Sequence, residues 1–256
     1  MRVLVTGGRG FLGAYVCEAF RAEGHEPVGL GRADGDLAEP GVAERLVAEH
    51  EPEAVVHLAA VMPGDERIPQ NAPMTQLVAA AAGGVPLYLG STVSVYTDDT
   101  PYVESKRASE DAVPDATILR FSFPYGPGQR RGAIPTMLKQ AIAGEPVVVY
   151  RRWVRSFCHA ADEARAVVLL VERGERGAWD IGRNDDARTL LEIAQLSCSL
   201  AGAPESLIEE RDPPDGVEPV GVELDVDRLH SLGWRPQVAL EDGMRQTLDW
   251  LLSPPR

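Results

Sequence analysis

Tyr102 and Lys106 stand four residues apart in the stretch TDDTPYVESKRASE, residues 97–110. On a helix this spacing stacks both side chains on one face. An ammonium held near a phenol favours the phenolate and lowers its pKa, the direction a general acid/base needs near neutrality. Tyr and Lys are also common on solvated helix faces, so the pair alone fixes no chemistry. A second constellation says more. Gly7, Gly10 and Gly13 recur in TGGRGFLG, directly after the strand-like run RVLVT and at the start of a helical apolar period through Leu12, Val16, Ala19 and Phe20. Glycines placed there let a diphosphate approach the backbone and meet the helix's free N–H groups and positive dipole end.

Both constellations need a scaffold, and alternating elements supply one. Strands are expected at 2–6, 26–30, 54–60, 85–90 and 116–122. Helices are expected from Leu12 to the Gly24 stop, and at 42–50, 74–82 and 105–113. The third strand, AVVHLAA, is almost wholly apolar, as a parallel strand covered on both faces should be. The alternation predicts an α/β fold, a doubly wound parallel sheet with right-handed crossovers. Beyond it come a helix at 134–143, a strand at 147–150, a helix at 160–172, a strand at 178–182, and helices at 190–200 and 241–252. Residues 203–220 are rich in Pro, Asp and Glu and are expected to loop over a surface. No repeat and no sharp break in composition marks a linker. Residues 1–122 are therefore assigned to a dinucleotide-binding domain, to which a helix and strand from 160–182 return. Residues 123–159 and 183–256 form a smaller, interwoven C-terminal lobe.

Length and charge exclude several roles. The 256 residues allow one large domain with an added lobe and a substantial core. A net charge of −14 argues against a nucleic-acid surface and against anionic membrane. No apolar run reaches the length of a membrane span, and the opening MRVLVTGG lacks the form of a signal peptide. Cys17, Cys158 and Cys198 are odd in number and without paired spacing, which suggests free thiols in a reducing cytosol, hence a cytoplasmic protein. No metal site is expected.

From the glycine turn onward the chain resembles the extended short-chain dehydrogenase/reductases, the NAD(P)-dependent epimerase/dehydratase family, whose fingerprint is T-G-x-x-G-x-x-G. The likeness continues in order. Asp36-Leu37 resembles the acidic-apolar pair that receives the adenine, and His57-Leu58-Ala59-Ala60 the strand end beside the cofactor. Asn71 with Thr75 resembles an N-x-x-x-T stretch whose Asn belongs to the active-site tetrad. Ser91-Thr92-Val93-Ser94-Val95-Tyr96 resembles S-[ST]-x-x-V-Y, and Tyr102 with Lys106 matches Y-x-x-x-K. Leu119-Arg120, Tyr125-Gly126-Pro127-Gly128, Arg155-x-Phe157-x-His159 and Leu232-Gly233-Trp234-x-Pro236 extend the match over nearly the whole chain.

The resemblance implies a Rossmann-type fold with Gly7, Gly10, Phe11, Leu12 and Gly13 around the diphosphate, and Leu58, Ala59 and Ala60 along the cofactor. It gives Thr92 the substrate carbonyl oxygen, Tyr102 the proton transfer, and Lys106 the ribose hydroxyls and the tuning of the phenol. Ser91 and Ser94 are the fallback hydroxyls, since a strand-end Thr can also satisfy its own backbone. Departures matter too. Thr92 and Tyr102 are ten positions apart, where the family carries a longer substrate-covering loop. Phe123 stands where an Asn usually contacts the substrate, and Ser156 replaces the usual acidic residue.

Cofactor choice rests on Gly31-Arg32 at the end of the second strand. An acidic residue there would bond a ribose 2′-hydroxyl, whereas Gly and Arg leave room and positive charge for a 2′-phosphate, although Asp34 and Asp36 share the loop. NADP(H) is favoured, with NAD(H) as the alternative. Arg130, Arg131, Lys139, Arg151, Arg152 and Arg155 gather in an otherwise acidic chain. Arg155 matches the family position for a nucleotide-sugar diphosphate, where a guanidinium fork suits two phosphate oxygens. Val149 and Tyr150 are expected to wall the nucleobase pocket.

Thr92-Val93-Ser94 carries none of the carboxylates that the family's 4,6-dehydratases and decarboxylases place after the Thr. One acid/base pair suffices for an NADPH-dependent 4-ketoreductase of a nucleotide-activated deoxysugar, the leading expectation. The alternatives are a 4-epimerase retaining NAD and a non-catalytic dinucleotide-sensing protein. The expected partner is a nucleotide sugar, and a homodimer is compatible with this reading.

Overall fold

The structure is a computed structural model that describes residues 1–213, 221 and 223–253. Its elements run β1 (Arg2–Thr6), α1 (Phe11–Ala22), β2 (Glu26–Leu30), α2 (Val42–His50), β3 (Ala54–His57), α3 (Asn71–Ala82), β4 (Leu87–Thr92), α4 (Pro101–Asp111) and β5 (Thr117–Phe121). They continue with β6 (Pro124–Tyr125), α5 (Ala133–Ala143), β7 (Val147–Tyr150), β8 (Val154–Ser156), β9 (Cys158–His159), α6 (Ala160–Glu172) and β10 (Ala178–Ile181). The last are β11 (Ala187–Thr189), α7 (Leu190–Ala201), β12 (Ile208–Arg211), α8 (Val226–Ser231) and α9 (Leu240–Leu252). The chain divides into two compact units. One comprises Met1–Phe121, Glu163–Ile181 and Asp225–Trp234; the other Ser122–Asp162, Gly182–Leu224 and Arg235–Arg256.

In the first unit a six-stranded parallel sheet runs in the order β2-β1-β3-β4-β5-β10. Strand β1 lies between β2 and β3, with Thr6 in register with Leu30 on one side and His57 on the other. The chain thus leaves β1 in one direction and returns on its other side. Such a switch point opens a crevice outside the strands' carboxyl ends, where ligands of doubly wound sheets bind. The central strands are short apolar runs because both faces are covered: Val3, Val5, Val55 and Val56 have no exposed surface. On one face Leu4, Val55, Leu89 and Ile118 form a core with Leu46 of α2 and Val78 of α3.

Asp225–Trp234 joins this unit, a correction to the sequence-based assignment of 183–256 to the other lobe. The reason is local pairing. Arg228 lies 3.6 Å over the Trp179 ring and donates to the carbonyls of Ala178 and Arg176, while the Asp225 N–H donates to Asp180 Oδ2 at 3.0 Å.

The second unit packs α5, α7 and α9 around Ile134, Leu138, Ile193 and Met244. Helix α7 starts on a capping box between Thr189 and Glu192. Three two-stranded sheets flank the helices: β8–β11 antiparallel, β7–β12 and β6–β9 parallel. Strand β12 corrects the expected surface loop at 203–220, because Ile208–Arg211 pairs along Val147–Tyr150. The rest of that stretch, from 214, lies outside the described residues. No helix among the described residues is long and apolar enough to cross a membrane.

Candidate active site

The site begins where β1 ends. Gly7 has φ +69°, and a Cβ there would come 2.8 Å from the Ala59 backbone nitrogen, so the turn lies against the segment leaving β3. A Cβ on Gly13 would collide with the Gly7 carbonyl, so α1 can start against the turn only with glycine there. Gly10 is the N-cap of α1 and no side chain caps it, leaving the first-turn N–H groups of Phe11, Leu12 and Gly13 for another acceptor. Helix and turn pack too closely for a Cβ at Gly7 or Gly13, and the uncapped N–H donors of the first turn suit a dinucleotide diphosphate. Leu58, Ala59 and Ala60 follow β3 and are half-buried beside it.

At the end of β2 the Gly31 N–H donates to Asp34 Oδ2 at 2.8 Å, and Arg9 Nη2 meets Asp34 Oδ1 at 3.0 Å. This pair occupies the Asp34 carboxylate. Arg32 is exposed, and its guanidinium makes no hydrogen bond or ion pair among the described residues. Asp36 Oδ1 accepts the Ala38 N–H at 3.0 Å, while Leu37 packs on the core.

Helix α4 carries Tyr102 and Lys106 and starts at Pro101, four residues before the expected 105. Thr100 caps it, its hydroxyl accepting the Val103 N–H at 3.3 Å, and Pro101 occupies the first turn. Tyr102 therefore lies within the helix and shares a face with Lys106. Lys106 is 4% exposed, and its ammonium makes no hydrogen bond or ion pair among the described residues. Burial pushes its ammonium down to about 8, with Glu110 acting weakly the other way. The half-buried Tyr102 hydroxyl has no hydrogen-bond partner among the described residues either, and burial raises its pKa. The expected lowering of the phenol by Lys106 is thus not met in this structure. Desolvation dominates the phenol, and the lysine is itself pushed toward the neutral amine.

The neighbouring polar groups are occupied. Asn71, placed in the tetrad from the sequence, is 1% exposed: its Oδ1 accepts the Val61 N–H, and its Nδ2 donates to Val61 O and to Ser105 Oγ at 3.0 Å. Ser91, a fallback hydroxyl, donates to Glu110 Oε1. Tyr96 donates to Asp180 Oδ1 and accepts from Arg120, both at 2.7 Å. Thr92 Oγ1 accepts the Ser94 N–H at 3.2 Å, which leaves its own proton to donate. His57, read from the sequence only as part of a strand end, is buried between Thr6 and Thr75. Nothing in its local pattern marks it, because its partners come from distant segments.

In the second unit, Arg155 lies on β8 with its guanidinium 5.1 Å from the Phe123 ring and 4.9 Å from the Trp153 ring. Phe123 has φ +44°, a left-handed conformation that Asn adopts with less strain than a bulky aromatic. Val149, expected to wall a pocket, is a core residue with 1% exposure. Its neighbour Tyr150 is half-buried, with its ring centroid 5.6 Å from that of Trp153. The other cations do not converge on Arg155: Arg151 pairs with Glu210 and Asp212, and Lys139 donates to Arg130 O.

The chain is similar to known nucleotide-sugar-modifying enzymes. The dTDP-glucose 4,6-dehydratase of Haemophilus influenzae is 26% identical over 98% of each chain. That of Xanthomonas campestris pv. campestris is 28% identical over 98% of this chain and 93% of the other. The UDP-glucose 4-epimerase of Thermus thermophilus, solved with NAD, superimposes with a TM-score of 0.84 at 25% identity over the whole of both chains. The model of the NAD dependent epimerase/dehydratase family matches residues 3–182. This chain belongs to the NAD dependent epimerase/dehydratase family.

Proposed function

We propose that the chain modifies a nucleotide-activated sugar by hydride transfer at C4, with Tyr102 as acid/base and Lys106 as its partner. One observation carries this reading. The Tyr102 hydroxyl and the Lys106 ammonium, one turn apart on α4, are left without partners among the described residues, in a neighbourhood where Asn71, Ser91 and Tyr96 are satisfied. A buried ammonium without a partner is costly, and a diol or a phenolate would relieve it. A bound nicotinamide dinucleotide would supply or accept the hydride. Thr92 donates its free proton to the sugar oxygen and orients it, and Tyr102 exchanges a proton with that oxygen. Lys106 holds the ribose hydroxyls and stabilises the phenolate. Arg155 holds the diphosphate of the sugar nucleotide.

The finer reading is an NADPH-dependent 4-ketoreductase, supported by the exposed Arg32, unpaired among the described residues. Dehydration is not supported, because Val93 and Ser94 follow Thr92 where further proton transfers would need carboxylates. A second reading, 4-epimerisation with retained NAD, is favoured by the likeness to the Thermus thermophilus UDP-glucose 4-epimerase. Tyr102→Phe keeps the ring and removes the proton, so turnover of a nucleotide sugar should fall by roughly two to four orders of magnitude. Near-normal turnover in that variant would overturn the assignment. The cofactor that co-purifies separates the finer readings: tightly held NAD supports the epimerase, and turnover of a 4-keto sugar only with added NADPH supports the reductase.

A further inference from the structure

We propose that His57 is a positioning residue which, as one fixed neutral tautomer, ties the end of β1 at the glycine turn to the helix that carries Tyr102 and Lys106. The directions of the hydrogen bonds fix the tautomer. Thr75 has a single hydroxyl proton, and the Asn71 carbonyl 2.9 Å away takes it. Thr75 Oγ1 therefore accepts from His57 Nε2, 3.3 Å away, and Nε2 carries the ring proton. On the other side the Ala59 N–H donates to Thr6 Oγ1 at 3.3 Å. Thr6 passes its own proton to His57 Nδ1 at 2.6 Å. The two bonds agree on the same neutral ring.

From there the chain of donors reaches the catalytic helix. Asn71 belongs to the first turn of α3, and its Nδ2 donates to Ser105 Oγ at 3.0 Å. Ser105 Oγ donates in turn to the Tyr102 carbonyl at 2.7 Å, and Ser109 Oγ to the Ser105 carbonyl at 2.8 Å. The glycine turn begins one residue after Thr6, and Lys106 follows Ser105 directly. One buried line of hydrogen bonds thus joins the two halves of the site, with His57 as the member that accepts at one end and donates at the other. The ring is 1% exposed, and the charged group that faces it is Lys106. A second ring proton would take away the acceptor for Thr6 and set a cation against the lysine. Burial, with Lys106 adding to it, holds the imidazole down to about 3.

This inference rests on the proposed function only for its kinetic consequence. NMR of the full-length protein labelled with 15N-histidine tests the geometric part, the His57 signal being assigned by its loss in His57→Gln. The expected result is a neutral ring protonated at Nε2, with shifts that do not move between about pH 5 and 8. An Nδ1-protonated ring, or titration within that range, overturns the proposal. Thr75→Val keeps the shape of the side chain and removes the acceptor of Nε2–H. It should lower kcat by roughly ten- to hundred-fold, as expected for misplaced catalytic groups, with cofactor affinity retained, and Thr75→Ser should restore most of the loss. An unchanged kcat in Thr75→Val overturns the proposal, and so does a loss that Thr75→Ser fails to restore. A wild type that turns over no nucleotide sugar would remove the functional reading, while the NMR result would still decide this one.

Discussion

Glu110 and Arg120 meet at two points: Arg120 Nη2 donates to Glu110 Oε2 at 2.6 Å, and Nε to Oε1 at 3.1 Å. Their side chains are 12% and 20% exposed, so the pair is largely removed from water. Glu110 lies one turn beyond Lys106, and Arg120 extends the pair to the Tyr96 hydroxyl and the face of its ring. The pair therefore braces α4 against β5 and against the turn that follows Thr92. Arg120→Met would leave a largely buried carboxylate uncompensated and should cost on the order of 2–3 kcal/mol. Adding Glu110→Gln should recover part of that loss. Urea unfolding of both single variants and the double variant measures the coupling, and additive effects would mean that the contact contributes nothing.

A second expectation concerns pH. Burial lowers Lys106 from 10.5 to about 8. Between those values the unfolded chain keeps a proton that the folded chain has released. Stability therefore rises with pH across that window, and below it folding bears the cost of a buried ammonium. Lys106→Met removes the term. The variant should be the more stable protein at pH 7, by up to about 3 kcal/mol at 1.36 kcal/mol per pKa unit, and the advantage should vanish as pH approaches 10. Unfolding of both proteins between pH 7 and 10 checks this, and a difference that stays flat with pH would contradict it.

The fold and the glycine turn at the start of α1 were legible because their signals are local. Strand β1, Gly7, Gly10, Gly13 and the apolar face of α1 follow one another directly, and strands covered on both faces read as apolar runs. Other elements hid for physical reasons. Strand β12, IEER, sets three charged residues on an edge strand and packs only Ile208 on the core, so composition reads it as a loop. Helix α8 spans six residues, too few for a period to show. The early start of α4 was marked by Thr100-Pro101, an N-cap followed by proline, a signal that the periodicity overlooks. His57 could not be found locally: Thr6 lies 51 positions before it and Thr75 18 after, and only the folded sheet unites them.

Cofactor choice gives a third expectation. Arg32 begins the short 3-10 turn after β2 and is exposed and unpaired among the described residues, whereas Arg9 is committed to Asp34. A 2′-phosphate would find its guanidinium available. Wild type should bind NADPH more tightly than NADH, and Arg32→Ala should bring the two dissociation constants together, since a charge-assisted contact is worth roughly 1.5–3 kcal/mol. Fluorescence titration of both cofactors measures this. Equal affinities in the wild type would sink the idea and favour the epimerase that retains NAD.

The last expectation concerns Arg155. Its guanidinium lies over the Phe123 and Trp153 rings and donates from Nη1 to the Val154 carbonyl at 3.0 Å. Stacking on aromatic rings holds the planar fork in one orientation, so little side-chain entropy remains to be lost when an anion binds. Arg155→Ala should weaken nucleoside diphosphate binding by roughly ten- to hundred-fold, since each ten-fold corresponds to about 1.4 kcal/mol. Cofactor affinity should stay nearly constant. Arg155→Lys should recover only part of the loss, because an ammonium cannot reproduce the fork or its stacking. Phe123→Asn relieves the left-handed backbone but removes one of the two rings, so it should weaken the same binding. Isothermal titration of cofactor-bound protein with UDP and with dTDP reads each effect. Unchanged affinity in Arg155→Ala would leave the guanidinium a structural neighbour of the two rings and take the diphosphate elsewhere.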